Sequence, residues 1–274
     1  MDIRKIRGLA ATLILALVSA PCAWAAERTE LIVFAAASLT ETLTQIESFY
    51  ELTRPDVDII YVFDSSGTLK RQIQEGAPCD VFVSAGQKQM DQLDITASEK
   101  VDGDGLDFVL EGTRVDLLEN RVTLVVPPGD AKGIRSFADL FAALEDGDIL
   151  FAMGNSDVPV GQYTQRILTW AGLDEEQLAA AGKITYGSNV KEVTAQVKEG
   201  SVDCGVVYCT DAFSAGLTVV DSATEEMCGQ VIYPAAVMKK SGHIEEAREF
   251  LDYLQGPMAM SVFSIVGFSP APSK

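Results

Sequence analysis

The stretch that decides the fold is Leu31-Ile-Val-Phe-Ala35, a short apolar run that is followed by an amphipathic segment from Leu39 to Leu52. The same pair of patterns occurs twice more, with apolar runs at 57–63 and 80–84 and amphipathic segments at 68–75 and 87–93. Apolar strands that alternate with helices predict βαβ units in a parallel sheet covered on both faces. The chain is therefore predicted to be an α/β protein.

The alternation lapses between Asp94 and Asn120, where acidic residues and glycines predict a solvated connection. It then restarts, with predicted strands at 121–126, 149–153, 205–208, 217–220 and 231–237, and predicted helices at 137–144, from 161, from 190, at 244–254 and at 257–265. The length suits two lobes better than one sheet of about ten strands. From these patterns alone, Val231–Val237 could extend either sheet.

The first residues carry the pattern of an export signal. A basic segment at residues 4–7 precedes an apolar run at 9–20, and Ala23-Trp-Ala25 forms an A-x-A cleavage site. Residues 1–25 are therefore predicted to be a signal peptide that is removed from an exported protein, with an uncleaved anchor as the alternative. Lipidation of Cys22 is not expected, because the leucine-led pattern that usually precedes a lipidated cysteine is absent.

Charge and cysteine content limit the partners. Loss of the signal peptide changes the net charge from −19 to −21, because that segment holds three basic residues and one acidic residue. A surface this acidic argues against nucleic acid and anionic lipid as partners. The even number of remaining cysteines predicts one or two disulfides of open pairing, with simple burial of small side chains as the alternative. These cysteines are Cys79, Cys204, Cys209 and Cys228.

Candidates for catalysis are few. His243 is the only histidine, and it begins a predicted helix, where a capping or surface role is expected. The motifs G-x-S-x-G, H-E-x-x-H, G-x-G-x-x-G and the P-loop are all absent. The sequence therefore predicts a protein that is not an enzyme and that needs no cofactor.

Small and hydroxyl-bearing residues recur where predicted strands lead into helices. Ser38 is predicted to be an N-cap with Glu41 three residues later, and similar turns follow at 64–68, 158–163 and 187–191. Helix N-termini present unpaired N–H groups and the positive end of a dipole. Several that converge at the carboxyl ends of strands would form an anion site without lysine or arginine, although each turn alone is also explained by ordinary capping.

Seven motifs occur in order along the chain, at residues 34–40, 63–69, 72–85, 87–91, 158–163, 205–208 and 233–237. Together they resemble the periplasmic molybdate-binding proteins of ABC uptake systems over nearly the whole mature chain. The resemblance implies a monomeric, periplasmic or otherwise extracytoplasmic, envelope-associated protein. Such a protein would carry molybdate or tungstate to a membrane permease. The alternatives are another tetrahedral oxyanion, sulfate or phosphate, and less favourably an exported hydrolase or transferase.

The resemblance also implies a two-lobed fold of the type II periplasmic-binding-protein kind. Each lobe would hold a mainly parallel sheet flanked by helices, and the chain would cross the hinge twice. The first lobe would comprise residues 26–122 and 232–274, and the second residues 123–231. On this basis Val231–Val237 is expected to return to the first sheet.

The ligand contacts implied by the resemblance are two serine hydroxyls, two backbone amides and a tyrosine hydroxyl. They correspond to Ser38, Ser66, Val160, Val190 and Tyr208. The metal would arrive as an oxyanion and not as a bare cation. Two positions depart from the family pattern, since Asp64 stands where alanine is common and Gly67 where serine is common. A carboxylate near a dianion repels it unless it faces solvent or accepts a proton from the ligand, so the identity of the anion stays open.

Overall fold

The computed structural model describes residues 28–100, 106–129 and 132–272. The predicted signal peptide and Cys22 lie outside these residues. Within them, no helix has both the length and the apolar character needed to cross a membrane. Their strands form two sheets, one of six strands and one of five.

The strands of the described residues have the following bounds: β1 (Thr29–Ala36), β2 (Val57–Asp64), β3 (Val81–Val83), β4 (Val115–Asn120), β5 (Val122–Val126), β6 (Phe151–Gly154), β7 (Ile184–Gly187), β8 (Cys204–Tyr208), β9 (Thr218–Ser222), β10 (Val231–Val237) and β11 (Ser269–Pro270). The first sheet has the order β11-β4-β10-β3-β1-β2. The second has the order β7-β6-β8-β5-β9.

The helices have the following bounds: α1 (Thr40–Thr53), α2 (Ser66–Gln74), α3 (Gln87–Asp91), α4 (Phe137–Asp146), α5 (Pro159–Trp170), α6 (Glu175–Ala180), α7 (Val190–Lys198), α8 (Cys209–Ala215), α9 (Glu225–Cys228), α10 (Ile244–Gln255) and α11 (Pro257–Val266). Within the described residues, 3-10 turns occur at Ala37–Leu39 and Ile95–Lys100. Helix α4 begins as its sequence predicts, because the Ser136 side chain accepts a hydrogen bond from the Asp139 amide.

Both sheets are mixed, which refines the prediction of mainly parallel sheets. In the first, β1 runs parallel to β2 and β3, whereas β10 runs antiparallel to β3 and β4. In the second, β6 runs parallel to β7 and β8, whereas β5 runs antiparallel to β8 and β9. The predicted α/β class is confirmed. The parallel strands of the two sheets include those that lead into helices α2, α5 and α7.

The chain passes between the sheets twice. Strand β4 ends at Asn120 in the first sheet and β5 begins at Val122 in the second, while the reverse passage lies between β9 and β10. Val231–Val237 therefore pairs within the first sheet, as predicted. The lobe boundaries at 122/123 and 231/232 stay predictions.

The predicted connection between Asp94 and Asn120 is only partly a connection. Its last six residues form β4, which pairs with β10 and buries Leu117 and Leu118. The sequence pattern did not indicate this strand, because Asp116 and Glu119 flank the two leucines and interrupt the apolar run.

The expected disulfides are wrong. No disulfide joins Cys79, Cys204, Cys209 or Cys228. Cys79 precedes β3 of the first sheet and Cys204 begins β8 of the second, so even their positions in the fold keep them apart. Burial raises the pKa of the Cys228 thiol to about 11, which keeps it protonated at neutral pH. The alternative, small side chains packed in the protein, describes Cys79, Cys204 and Cys228, which are buried.

Candidate functional site

A small cavity lies at the carboxyl ends of three parallel strands of each sheet. Lining residues lie at the ends of β1, β2 and β8 or just after β1, β2, β3, β6 and β7. The volume open to the centre of a water molecule is about 10 Å³, which is room for about one water. Ligands of open α/β sheets bind at this end of the strands.

The structure brings all five sequence-predicted residues to this cavity. Its lining includes Ser38, Ser66, Val160, Val190 and Tyr208. Ser38 and Ser66 follow strands of the first sheet, and the other three residues belong to elements around the second sheet.

Three helices begin at the cavity. Ser66 is the first residue of α2, Val190 the first of α7 and Val160 the second of α5. Backbone N–H groups in these positions have no acceptor within their own helix and lie at the positive end of its dipole. Because Pro159 has no N–H, Val160 supplies the first backbone donor of α5.

Ser38 does not cap α1, so that prediction is wrong. It lies inside the 3-10 turn Ala37–Leu39, and Leu39 occupies the N-cap position without a side-chain hydrogen bond. The Ser38 hydroxyl is instead hydrogen-bonded to the Tyr233 hydroxyl at 3.0 Å. Glu41, predicted to complete a capping box, forms an ion pair with Lys191.

The adjacent serines Ser65 and Ser66 have different roles. Ser65 is the N-cap of α2, and its Oγ accepts a hydrogen bond from the Thr68 amide at 3.2 Å. Ser66 is fully buried, and its Oγ accepts a hydrogen bond from the Ala85 amide at 2.9 Å. Since an amide can only donate, the hydrogen of the Ser66 hydroxyl is available to a further acceptor.

Tyr208 ends β8 and is buried. Its hydroxyl donates to the Ala85 carbonyl at 3.3 Å, across the cavity from its own sheet. Burial raises the pKa of Tyr208 well above its usual value, so the phenol keeps its proton and acts as a donor.

The two positions that depart from the family pattern lie where the halves of the cavity approach each other. Asp64 Oδ1 accepts a hydrogen bond from the Ser65 amide at 2.6 Å, and Asn189 Nδ2 approaches it at 3.5 Å from the opposite side. A Cβ atom on Gly67 would lie 2.2 Å from the Asp157 carbonyl oxygen. Glycine at this position therefore permits a close backbone contact that serine would prevent.

A partly buried cation beside the cavity was not recognised from the sequence. Lys191 follows Val190 and pairs with Glu41 at 2.7 Å, on the opposite side, and with Asp211 at 3.0 Å. Burial lowers the pKa of Lys191, but the two carboxylates outweigh that effect and raise it. Burial also raises the pKa of Asp211 to about 6. The sequence gives no local signal for this pairing, because Lys191 and Glu41 are 150 positions apart.

A cation site of the usual kind is not seen near these residues. In the part of the chain that the structure describes, no group of three or more histidine, cysteine, aspartate or glutamate side chains is arranged to hold a metal ion. The cavity presents hydroxyl and amide donors, which suit an anion.

Comparison with known proteins shows the family to which the chain belongs. The family model for bacterial extracellular solute-binding proteins matches residues 31–269. A Bacillus subtilis protein named as an ABC transporter substrate-binding lipoprotein is 34% identical over 89% of this chain and 87% of its own. The molybdate-binding protein ModA of Escherichia coli is 34% identical over 89% of this chain and 90% of its own.

Solved structures and an enzyme are also among the similar proteins. The periplasmic molybdate-binding protein of Azotobacter vinelandii superposes with a TM-score of 0.73, covering 89% of this chain and all of that chain, and at 23% identity this likeness bears on the fold alone. An aconitate isomerase of a Pseudomonas species is 26% identical over 95% of each chain. The resemblance stated from the motifs is confirmed, and the chain belongs to the bacterial extracellular solute-binding proteins that serve ABC transporters.

Proposed function

We propose that the protein binds one molybdate or tungstate ion in this cavity and delivers it to the membrane permease of an ABC transporter. The observation that carries the proposal is the convergence of Ser38, Ser66, Val160, Val190 and Tyr208 on one small cavity. Hydroxyl and amide donors from both sheets surround a space where one tetrahedral anion would meet them all. Molybdate is also the ligand in the name of the Escherichia coli relative.

The donor character of the cavity favours an anion that is fully deprotonated. The Val160 and Val190 amides can only donate, and the Ser66 oxygen already accepts from Ala85. A ligand that must donate its own proton would face these donors and lose a hydrogen bond to water. Molybdate and tungstate therefore suit the site better than hydrogen phosphate, and the smaller sulfate would not span the same donors.

Asp64 is the residue that could favour phosphate, because a carboxylate can accept a ligand proton. Its Oδ1 already has the Ser65 amide at 2.6 Å and Asn189 Nδ2 at 3.5 Å. These contacts support a role for Asp64 in holding the two sides together. We therefore place phosphate and sulfate behind molybdate and tungstate as ligands.

We propose binding without chemical change of the ligand, rather than the activity of a hydrolase, a transferase or an isomerase. His243 lies at the N-cap of α10 and does not line the cavity. The cavity lining has donors and one carboxylate, but no nucleophile paired with a base. The protein is proposed to be exported through its signal peptide at 1–25 and to act as a monomer at the cell envelope.

Calorimetric titration of the mature protein with molybdate, tungstate, sulfate, phosphate and chromate tests the ligand. We expect one site that binds molybdate and tungstate most tightly. Saturation should also raise the free energy of unfolding by about 2.7 kcal/mol at a hundredfold excess over Kd. An unchanged melting temperature in millimolar molybdate and tungstate would contradict the proposal. Incubation with aconitate and with simple esters, followed by product analysis, is expected to show no turnover.

A further inference from the structure

A chain of buried hydrogen bonds leads from the passage between the sheets to the cavity. The Arg121 amide donates to Asn120 Oδ1 at 2.8 Å, and Asn120 Nδ2 lies 3.1 Å from the Tyr233 hydroxyl and 3.0 Å from Thr210 Oγ1. The Tyr233 hydroxyl in turn lies 3.0 Å from Ser38 Oγ. Asn120 is the last residue of β4 and Tyr233 lies in β10. This series of hydrogen bonds therefore begins on the two first-sheet strands that adjoin the passages between the sheets.

The direction of each hydrogen bond in this series follows from the first one, which the Arg121 amide donates. A backbone amide can only donate, so the atom of Asn120 that faces the Arg121 amide is the carbonyl oxygen. The amide nitrogen of Asn120 must then face Tyr233, and it also can only donate. The Tyr233 oxygen is therefore an acceptor for Asn120.

The remaining hydrogen of Tyr233 has Ser38 Oγ, at 3.0 Å, as its acceptor in hydrogen-bond geometry. Tyr233 is fully buried, and its hydroxyl is hydrogen-bonded to Asn120 and Ser38. The Tyr208 hydroxyl is also near Tyr233, but it donates to the Ala85 carbonyl. Burial raises the pKa of Tyr233 well above its usual value, which keeps the phenol protonated. An unpaired buried hydroxyl hydrogen would be costly, so Tyr233 donates to Ser38.

We propose that Asn120 and Tyr233 are positioning residues that make the Ser38 hydroxyl a donor toward the bound anion. Neither residue lines the cavity, and both act through Ser38. Because the Ser38 oxygen accepts from Tyr233, its own hydrogen is available to the ligand. Ser66 reaches the same state through the Ala85 amide. The inference rests on the proposed anion site and adds to it the residues that set its hydrogen-bond direction.

The proposal predicts an effect on selectivity that loss of packing would not produce. Without the Tyr233 hydroxyl, the Ser38 oxygen can accept a hydrogen bond from a ligand as well as donate one. A protonated anion such as hydrogen phosphate should then lose less affinity than molybdate, or gain some. A defect in packing would instead weaken both anions equally.

The test compares calorimetric titrations of wild type, Tyr233→Phe, Ser38→Ala and the double variant with molybdate and with inorganic phosphate. Tyr163→Phe is the matched control, because it removes another buried phenol, which donates to the Gln230 carbonyl at 3.4 Å and does not touch Ser38. We expect Tyr233→Phe to weaken molybdate binding about tenfold. We also expect the ratio of molybdate to phosphate affinity to fall and the control to stay close to wild type.

The double variant decides whether Tyr233 acts through Ser38. In the Ser38→Ala background, Tyr233→Phe should change the molybdate Kd by less than about twofold, because coupled residues are not additive. Additive losses, or equal losses for both anions, would overturn the inference. Asn120→Ala is a second variant and should weaken molybdate in the same direction; if Tyr233→Phe does not fold, an unchanged Kd for Asn120→Ala overturns the inference.

The same titrations separate this inference from the proposed function. If the wild-type protein binds none of molybdate, tungstate and phosphate, the proposed anion site itself is contradicted. A wild type that binds molybdate, with Tyr233→Phe equal to it, leaves the site in place and removes only the role of Tyr233.

Discussion

The two sides of the cavity supply donors in different ways. The first-sheet side uses the side-chain hydroxyls of Ser38 and Ser66, and each hydroxyl has a buried hydrogen-bond partner behind it. The second-sheet side adds the Tyr208 hydroxyl but otherwise uses the backbone starts of α5 and α7 at Val160 and Val190, where any residue other than proline supplies the same N–H. Substitution should therefore have a strong effect at the two serines and a weak effect at the two valines.

The largest expected effect comes from pushing the two sides apart. Gly67→Ala places a Cβ 2.2 Å from the Asp157 carbonyl, so the closed arrangement must open. Steric overlap typically costs about 1–3 kcal/mol, and a backbone clash at this distance should reach the upper end, about a hundredfold in the molybdate Kd. Calorimetry measures this loss.

The matched control for that variant is Gly242→Ala, since a Cβ there meets no atom within 4 Å. It should bind as wild type does. If Gly67→Ala also binds as wild type, the two sides do not need this close contact when ligand is bound.

The second prediction tests the contrast itself. Ser66→Ala and Ser38→Ala each remove a hydrogen bond to a charged ligand, which is worth roughly 1.5–3 kcal/mol, or about tenfold to a hundredfold in Kd. Val160→Ala and Val190→Ala keep the N–H and should change Kd by less than about threefold. If the valine variants lose as much molybdate affinity as the serine variants, Val160 and Val190 contribute through their side chains and not only through their backbone N–H groups.

The third prediction uses the N-cap beside the ligand serine. Ser65→Ala removes the hydrogen bond to the Thr68 amide and should cost about 1 kcal/mol in the free energy of unfolding, measured by chemical denaturation. Its effect on the molybdate Kd should be smaller than that of Ser66→Ala. Equal losses of affinity would mean that the wrong serine has been assigned to the ligand.

The fourth prediction concerns the titration of Asp211, which lies in α8 after strand β8 of the second sheet. The pKa of the buried Asp211 is about 6, above the 3.8 of an exposed aspartate, so the folded protein takes up a proton before the unfolded chain does. This group therefore adds stability as pH falls through 6, and its contribution is complete below 3.8. Between pH 7 and 5, wild type should gain on the order of 1 kcal/mol of unfolding free energy relative to Asp211→Asn. If the unfolding free energies of the two proteins change with pH in the same way, the prediction is wrong.

The smallest expected effect is at the ion pair across the cavity. Glu41→Gln leaves Lys191 paired with Asp211 and removes only a half-exposed partner. Such pairs contribute about 0.2–1 kcal/mol, so the molybdate Kd should rise less than about fivefold at low salt. The difference from wild type should shrink as salt is added. A loss that is independent of salt would indicate a steric role for Glu41.

Local patterns in the sequence predicted what is local in the structure. The helix starts at Ser66 and Val190 follow apolar runs and small polar residues; α7 begins where the pattern places it, and α2 begins two residues before the predicted segment at 68–75. The resemblance to a known family joined these separate turns into one site. Neither composition nor periodicity could have shown that they face the same cavity.

Contacts between distant residues could not be predicted in this way. The S-x-x-E pattern at Ser38 predicts a cap, but the hydroxyl is held by Tyr233, which is 195 positions away. Strand direction in the mixed sheets depends on which strands pair, and the apolar runs carry no information on that. The missed strand β4 is stabilised by its pairing with β10, more than a hundred positions further along the chain.

The contact at Gly67 limits how closely the two sides of the cavity can approach each other. The start of α2 meets the Asp157 carbonyl backbone to backbone, and neither group can yield as a side chain would. The Arg71 to Asp157 ion pair at 2.6 Å spans the same gap and would hold the two sides at that limit. In the proposed binding mode, an anion smaller than the remaining space could not draw the sides closer, and a larger one would keep this ion pair from forming. The gap would then select ligands by size, and its width is set by the absence of a side chain at Gly67.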